Sequence, residues 1–205
     1  MFIRAAQAAD APAMGRVMVD TYLRAHQGQV PDEAWHRRQE EWTPEVSAAN
    51  WARAMSTMAE DSHAHECLYI AVENATQPEQ VIGLIMGGPS AVAGYEGVGD
   101  IYALYVDFAY QRRGIGRKLV QAAARHLHHL GMTALIIRCL STNAPGNRFY
   151  SALGGQLVGE GEVDEYGYRI PECIYYWADS AVLLGDGGSN GASNPRPIGE
   201  TPDAG

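Results

Sequence analysis

From Tyr105 to Leu119 the chain reads Tyr-Val-Asp-Phe-Ala-Tyr-Gln-Arg-Arg-Gly-Ile-Gly-Arg-Lys-Leu. This is an apolar strand ending, then a loop rich in donors, then a helix that begins at the second glycine. Such a junction aims several backbone N–H groups at one point, where the helix dipole also favours an anion. Gly114 and Gly116 lack the Cβ that would keep phosphate oxygens away from the backbone. Gln111, Arg112, Arg113 and Arg117 add side-chain donors around Ile115. The chemistry of this stretch is therefore the holding of a phosphate. Two common phosphate motifs are excluded. No Lys-Ser/Thr pair stands at P-loop spacing, and position 119 is a leucine where the dinucleotide fingerprint needs its third glycine.

The whole string resembles the acetyl-CoA motif of the GNAT superfamily of N-acetyltransferases, Gln/Arg-x-x-Gly-x-Gly/Ala after a β-strand. Gln111, Gly114 and Gly116 match its three fixed positions, and Leu104-Tyr105-Val106-Asp107 is similar to the family's strand ending. A second stretch, Asn143-Ala144-Pro145-Gly146-Asn147-Arg148-Phe149-Tyr150-Ser151-Ala152-Leu153-Gly154-Gly155, resembles the family's second coenzyme segment, commonly N-x-x-A-x-x-F/L-Y-x-x-x-G-F. It departs at Asn147, where a small residue is frequent, and at Gly155, where an aromatic residue is usual. The second departure is expected to loosen packing beneath the helix. With the flanking strands, the resemblance spans roughly residues 2–178.

The resemblance implies acetyl-CoA as cosubstrate, no metal, and transfer to a primary amine. An amine with a pKa near ~10 must lose a proton before it attacks a thioester. The resemblance places the oxyanion donor at the Val106 backbone N–H, at the splayed end of a strand. It gives Tyr150 as general acid for the departing thiolate, with the alternative that this ring only packs on the coenzyme arm. Leu104, Tyr105, Asn143 and Asn147 would hold the arm. Asp100 and Tyr102 lie on the strand leading into the site. Asp100 is either a base acting through water or a solvated strand start, and Glu96 is a weaker candidate.

Tyr22 and Trp35, with Trp42 and Trp51, fall where the family builds its acceptor pocket, though packing is the better explanation of them. Thr21 to Gly28 also resembles the T-W-R-x-A-Y-x-G stretch of a branch that often acts on small amines. The acceptor expected is a small cationic molecule, a polyamine or an amine-bearing antibiotic. A protein N-terminus or lysine, and a non-catalytic acyl-CoA sensor, are the alternatives. Members commonly dimerise, so a homodimer is among the expectations.

These residues need elements to carry them. Phe2 to Arg4 reads as a strand, and Asp10 reads as an N-cap before Pro12, with Met14, Val17, Met18 and Thr21 on one helix face. Residues 22–62 are helical in pieces, with Ser47 capping a helix that holds Trp51 and Met55. Cys67–Val72 and Val81–Met86 form an antiparallel hairpin through Asn74–Gln80. Ile101–Val106 is a strand, and Leu119–Leu130 is a helix closed by Gly131. Ala134–Cys139 is a covered central strand. Asn147–Leu153 is a short helix, and Gln156–Val163 and Glu172–Trp177 complete the sheet. The fold class is α/β of the α+β type, a mixed, mostly antiparallel central sheet flanked by helices in the order β-α-α-β-β-β-α-β-α-β-β. Residues 1–180 form one domain, and 181–205 a flexible Gly/Ser/Pro-rich tail.

A chain of 205 residues with 46% hydrophobic and 19% charged residues suits one globular domain. The net charge of −9 without a basic stripe excludes a nucleic-acid surface and favours cationic ligands. No apolar run reaches the ~20 residues of a membrane helix, and Met1–Ala5 lacks a signal pattern. Cys67, Cys139 and Cys173 sit in strand-like runs without metal or redox spacing, so reduced buried thiols and a cytoplasmic protein are expected. His63/His65 and His126/His128/His129 read as surface histidines. Asn74-Ala75-Thr76 is a sequon with no meaning outside a secretory route.

Overall fold

The computed structural model describes residues 1–61, 65–73 and 79–185. His63, the Asn74–Thr76 sequon, most of the Asn74–Gln80 loop and residues 186–205 of the expected tail lie outside the described residues. The chain opens with β1 (Phe2–Ala5), followed by three helices, α1 (Ala11–Ala25), α2 (Asp32–Glu41) and α3 (Pro44–Glu60). Strands β2 (Cys67–Glu73), β3 (Gln80–Pro89) and β4 (Gly99–Val106) come next, then helix α4 (Ile115–His129). Strand β5 (Leu135–Leu140), helix α5 (Ala144–Ala152), and strands β6 (Gln156–Glu165) and β7 (Tyr168–Trp177) complete the order. The mostly antiparallel mixed sheet expected from the sequence is present, with three helices rather than two between β1 and β2.

The sheet runs β1-β2-β3-β4-β5-β7-β6, and every pair is antiparallel except β4–β5. Helices cover both faces. On one, Leu119, Ala123 and Leu127 of α4 bury completely against Ile82, Ile85, Leu135 and Ile137. On the other, Met14 and Val17 of α1 and Trp51 of α3 meet Ile70 and Leu84. Burial of a leucine such as Leu119 or Leu127 stabilises the fold by ~1.5–3 kcal/mol. Beyond β7, a turn at Ser180–Leu183 seats Leu183 in the first of these cores.

Two expected caps are corrected. The Asp10 carboxylate does not cap α1. It is half turned back to Arg4 (2.7 and 2.9 Å) and to the Gln7 backbone N–H (2.7 Å), because a nearby guanidinium makes a stronger charge-assisted bond. Ser47 is buried inside α3, and the cap is Thr43, whose hydroxyl accepts from the Val46 N–H at 3.3 Å. Gly131 does close α4. Its φ is +87°, its N–H donates to the His128 carbonyl, and Met132 N–H donates to that of Leu127, the two bonds of a Schellman motif.

Candidate active site

Strand β4 carries the centre of the site because it changes partners along its length. It pairs with β3 from Gly99 to Val106, but with β5 only over Gly99, Asp100 and Ile101. Past Ile101 the two parallel strands part. Asp107 N–H donates to the Ile82 carbonyl at 3.0 Å, which makes Asp107 and Ile82 a hydrogen-bonded pair of the antiparallel ladder. The alternation of that ladder turns the backbone groups of Val106 and Leu104 away from β3, toward the parting. The Val106 carbonyl there accepts from the Gln111 side-chain amide at 2.9 Å. Gln111 thus ties the loop to the strand it follows.

The loop then turns sharply. Arg112 holds φ +63° and Gly114 holds φ +79° as the N-cap of α4, a left-handed conformation that glycine adopts without a Cβ penalty. The first-turn N–H groups of Ile115, Gly116 and Arg117 have no intrahelical acceptor, as at any helix start. Arg112, Arg113 and Arg117 are exposed beside them, and Arg113 lies over the Tyr110 ring at 5.2 Å. A Cβ on Gly116 would meet the Phe149 ring at 3.2 Å, so the first turn of α4 packs closely against α5. This donor set and its net positive charge fit a phosphorylated coenzyme.

A cavity of about 190 Å³ fills the parting. Its walls include Tyr102, Leu104 and Tyr105 of β4, Arg138 and Cys139 of β5, and Asn143 and Tyr150. Tyr22, His26, Glu165 and Glu172 close it from other elements. Tyr150 is 9% exposed, its ring 5.7 Å from that of Tyr175, and burial pushes its phenol far above the usual tyrosine range. Burial likewise pushes Tyr102 and Tyr105 up to about 12, and each is protonated at neutral pH. Tyr102 is partly exposed and its hydroxyl donates to the Pro89 carbonyl. Asn143 lines the cavity while its Oδ1 caps α5 by accepting from Gly146 N–H at 3.1 Å. Asn147 donates to the Leu140 and Ser141 carbonyls (3.0 and 3.1 Å), and its buried Oδ1 has no hydrogen-bond partner.

Asp100 is 1% exposed, just outside the cavity wall. Arg138 bridges it (3.4 Å) to Glu172 (3.3 Å), which is on the wall. Asp100 Oδ1 is buried without a hydrogen-bond partner among the described residues. Burial pushes this carboxyl up to about 6, Arg138 pulling down against it and Glu172 adding to the rise. The structure therefore brings together Tyr150, Tyr22, Tyr102, Leu104, Tyr105 and Asn143 in one cavity, with Asp100 behind it. Trp35 lies elsewhere, at a second depression with Asp20, Arg24 and Gln39, and Glu96 is in the β3–β4 loop accepting from Gly94 N–H.

Among the wall residues not singled out for the site from the sequence are three charged ones, Arg138, Glu165 and Glu172, and one imidazole, His26 of the Thr21–Gly28 stretch. The first three are single charges within strands, and no motif marks them. His26 holds its Nδ1 3.0 Å from the Tyr22 carbonyl, and since a carbonyl only accepts, Nδ1 carries the proton and Nε2 the lone pair. Burial lowers its pKa, so it stays neutral at pH 7. Cys139 and Cys173 are free and face each other across β5 and β7. Among the described residues there is no group of three or more His, Cys, Asp and Glu that could hold a metal, and no helix long and apolar enough to cross a membrane.

Residues 28–154 match the model of the acetyltransferase (GNAT) family. The chain is 31% identical over 105 residues to an uncharacterized N-acetyltransferase, YuaI, of Bacillus subtilis (strain 168), covering 50% of this chain and 59% of that protein. It thus spans a little over half the length of this curated relative. Among solved structures it resembles PaiA N-acetyltransferase from Thermoplasma acidophilum in complex with coenzyme A, at 17% identity and a TM-score of 0.62 over 85% of this chain and 96% of that one. It also resembles yncA from Salmonella typhimurium with its cofactor acetyl-CoA, at 18% identity and a TM-score of 0.58 over 94% and 98%. At such identities the two structures establish a shared fold.

Proposed function

The chain belongs to the acetyltransferase (GNAT) family, and from that premise we propose that it moves an acetyl group from acetyl-CoA to a primary amine of a small cationic molecule, in the cytoplasm. The observation that carries the proposal is the cavity between the parted strands β4 and β5. The loop that leads into α4 follows the free end of β4, and Tyr150 is on the cavity's wall.

Acetyl-CoA supplies a thioester carbonyl and a thiolate leaving group. Its phosphates would be held by the N–H groups from Gly114 to Arg117, with Arg112, Arg113 and Arg117 around them. Its arm would lie along Leu104, Tyr105 and Val106, taking up the backbone groups that Leu104 and Val106 turn away from β3. Asn143 stands on the opposite wall. The Val106 N–H, turned away from β3, would take the charge that gathers on the carbonyl oxygen. Tyr150, protonated at neutral pH, would give its proton to the departing sulfur. The amine's proton goes to the carboxylate pair bridged by Arg138. Asp100 is suited to the task because burial brings its pKa near the working pH, and Glu172 reaches the wall.

Glu165 and Glu172, the wall's two carboxylates, are the features that support a cationic acceptor, each with an arginine already against it. A protein amine would have to enter a cavity of only about 190 Å³, and a small acceptor fits that space more readily. Calorimetric titration with acetyl-CoA, with ATP and NAD as controls, tests the coenzyme assignment. One-site binding of acetyl-CoA alone is expected, followed by turnover on a panel of cationic amines. Binding without turnover on small amines, lysine peptides or N-terminal peptides would leave a sensor, and the absence of binding would remove the assignment.

A further inference from the structure

Helix α2 sends Arg38 across to the end of β6. Its Nη2 donates to both oxygens of Glu165, at 2.6 Å to Oε1, and the Tyr22 hydroxyl donates to Oε1 at 2.9 Å. Three rings surround the guanidinium. Their centroids lie 4.8 Å (Trp42), 5.1 Å (Tyr22) and 5.5 Å (Tyr166) from its central carbon. A carboxylate with three aromatic faces is a box for a cation.

Arg38 fills that box imperfectly. A guanidinium binds a carboxylate best through two parallel N–H···O bonds from two nitrogens. Here one nitrogen serves both oxygens, and the buried Arg38 Nε has no partner among the described residues. The rings, by contrast, are held at a cost. Tyr166 and Gly167 form the two-residue turn between β6 and β7, with φ +55° and +87°. Such a turn favours asparagine at its first position, and a bulky residue with positive φ is strained. That strain points the Tyr166 ring at Arg37 and Arg38. Glu165 is 8% exposed, and a carboxylate so buried requires a positive partner. Glu165 and Tyr22 are also wall residues of the active-site cavity.

We propose that this box recognises a second positive charge on the acceptor, an ammonium or guanidinium distant from the reacting amine, which takes the place of Arg38 on Glu165. Arg38 is then a tethered stand-in that keeps Glu165 neutralised until the acceptor enters. This rests on the reading of the chain as an amine acetyltransferase.

The test pairs a binding measurement with a kinetic one. Methylguanidinium is titrated calorimetrically into the full-length wild type, Arg38→Ala and Arg38→Ala/Glu165→Gln. Saturable binding to Arg38→Ala, at least tenfold tighter than to the other two, is expected. Acetylation of 1,4-diaminobutane and butylamine is then compared. The wild type should favour the diamine by tenfold or more in kcat/KM, Glu165→Gln should lose that preference, and Arg38→Lys, which keeps a charge and the fold, should lower KM for the diamine alone. Equal kcat/KM for the two amines, or methylguanidinium binding unaffected by Glu165→Gln, overturns the proposal. Methylguanidinium binding with no amine acetylated would sink the acetyltransferase reading while leaving the box in place.

Discussion

The indole of Trp177 occupies the space into which a side chain on Gly155 would project: a Cβ there would stand 2.5 Å from Cζ2 and 2.7 Å from Cη2 of the ring. The family pattern that Asn143–Gly155 resembles has an aromatic residue at the last position. Here the aromatic ring arrives from β7 instead, buried, with its Nε1–H donated to the Leu153 carbonyl at 3.1 Å. The loosened packing expected beneath α5 is thus not found. Gly155→Phe should destabilise the fold by ~1–3 kcal/mol through overpacking. In Trp177→Ala, the same substitution should cost less or become favourable, because the space is then open. Urea unfolding of the four proteins measures the coupling, and additive effects would show that the two residues do not share the space.

Asp100 links stability to pH. Burial raises its carboxyl from 3.8 to about 6. Below 3.8 the folded and unfolded chains are both protonated there. Between 3.8 and 6 only the unfolded chain has released the proton, so stability falls as pH rises, and above 6 the loss is complete. At 1.36 kcal/mol per pKa unit this amounts to roughly 3 kcal/mol. Asp100→Asn should therefore gain on the wild type between pH 4 and pH 7 and hold that margin above. Its rate should lack the rise near pH 6. A margin independent of pH would mean that Arg138 keeps Asp100 ionised.

Much of this was legible from the sequence because it is local. The loop from Tyr105 to Leu119, helix α4 and its glycine stop, and the segment from Asn143 each depend on residues within a turn or two of one another. What escaped depends on distance along the chain. Arg38 and Glu165 are 127 residues apart, and their pairing follows from the register of β6 on β7 and the placement of α2. Arg138 meets Asp100 and Glu172 only because β5 lies between β4 and β7. Asp10 and Ser47 carry cap-forming side chains, yet tertiary partners claimed both: Arg4 took the Asp10 carboxylate, and Ser47 Oγ turned to Met18 Sδ at 3.7 Å.

For Tyr150, the general-acid role predicts a loss confined to turnover. Tyr150→Phe should lower kcat by ~100-fold or more, as for loss of a general acid, and leave acetyl-CoA affinity in calorimetry nearly unchanged. A comparable loss of affinity would make the ring a packing surface for the coenzyme arm.

Gly114 has no atom within 4 Å of where a Cβ would stand, so a substitution there is penalised by its φ of +79° alone. Gly114→Ala should cost ~1–2 kcal/mol of stability. It should also weaken acetyl-CoA binding, since relaxing the turn swings the first N–H groups of α4 off their common aim. Thermal unfolding and calorimetry read the two effects separately. Lost affinity at unchanged stability would mean that alanine accepts the turn but blocks the approach.

Three rungs, Gly99 to Ile101, are all that stitch β4 to β5. On one side of that seam α4 rests on β2, β3 and β4, and on the other α5 rests on β5 and β7. The sheet is thus two rafts moored at one end only, with α4 reaching from the first across the seam to Leu135 and Ile137 of the second. A crevice of this kind is not a hole cut in a rigid wall. Its width is the angle between the rafts, and anything lodged in it becomes a keystone shared by both.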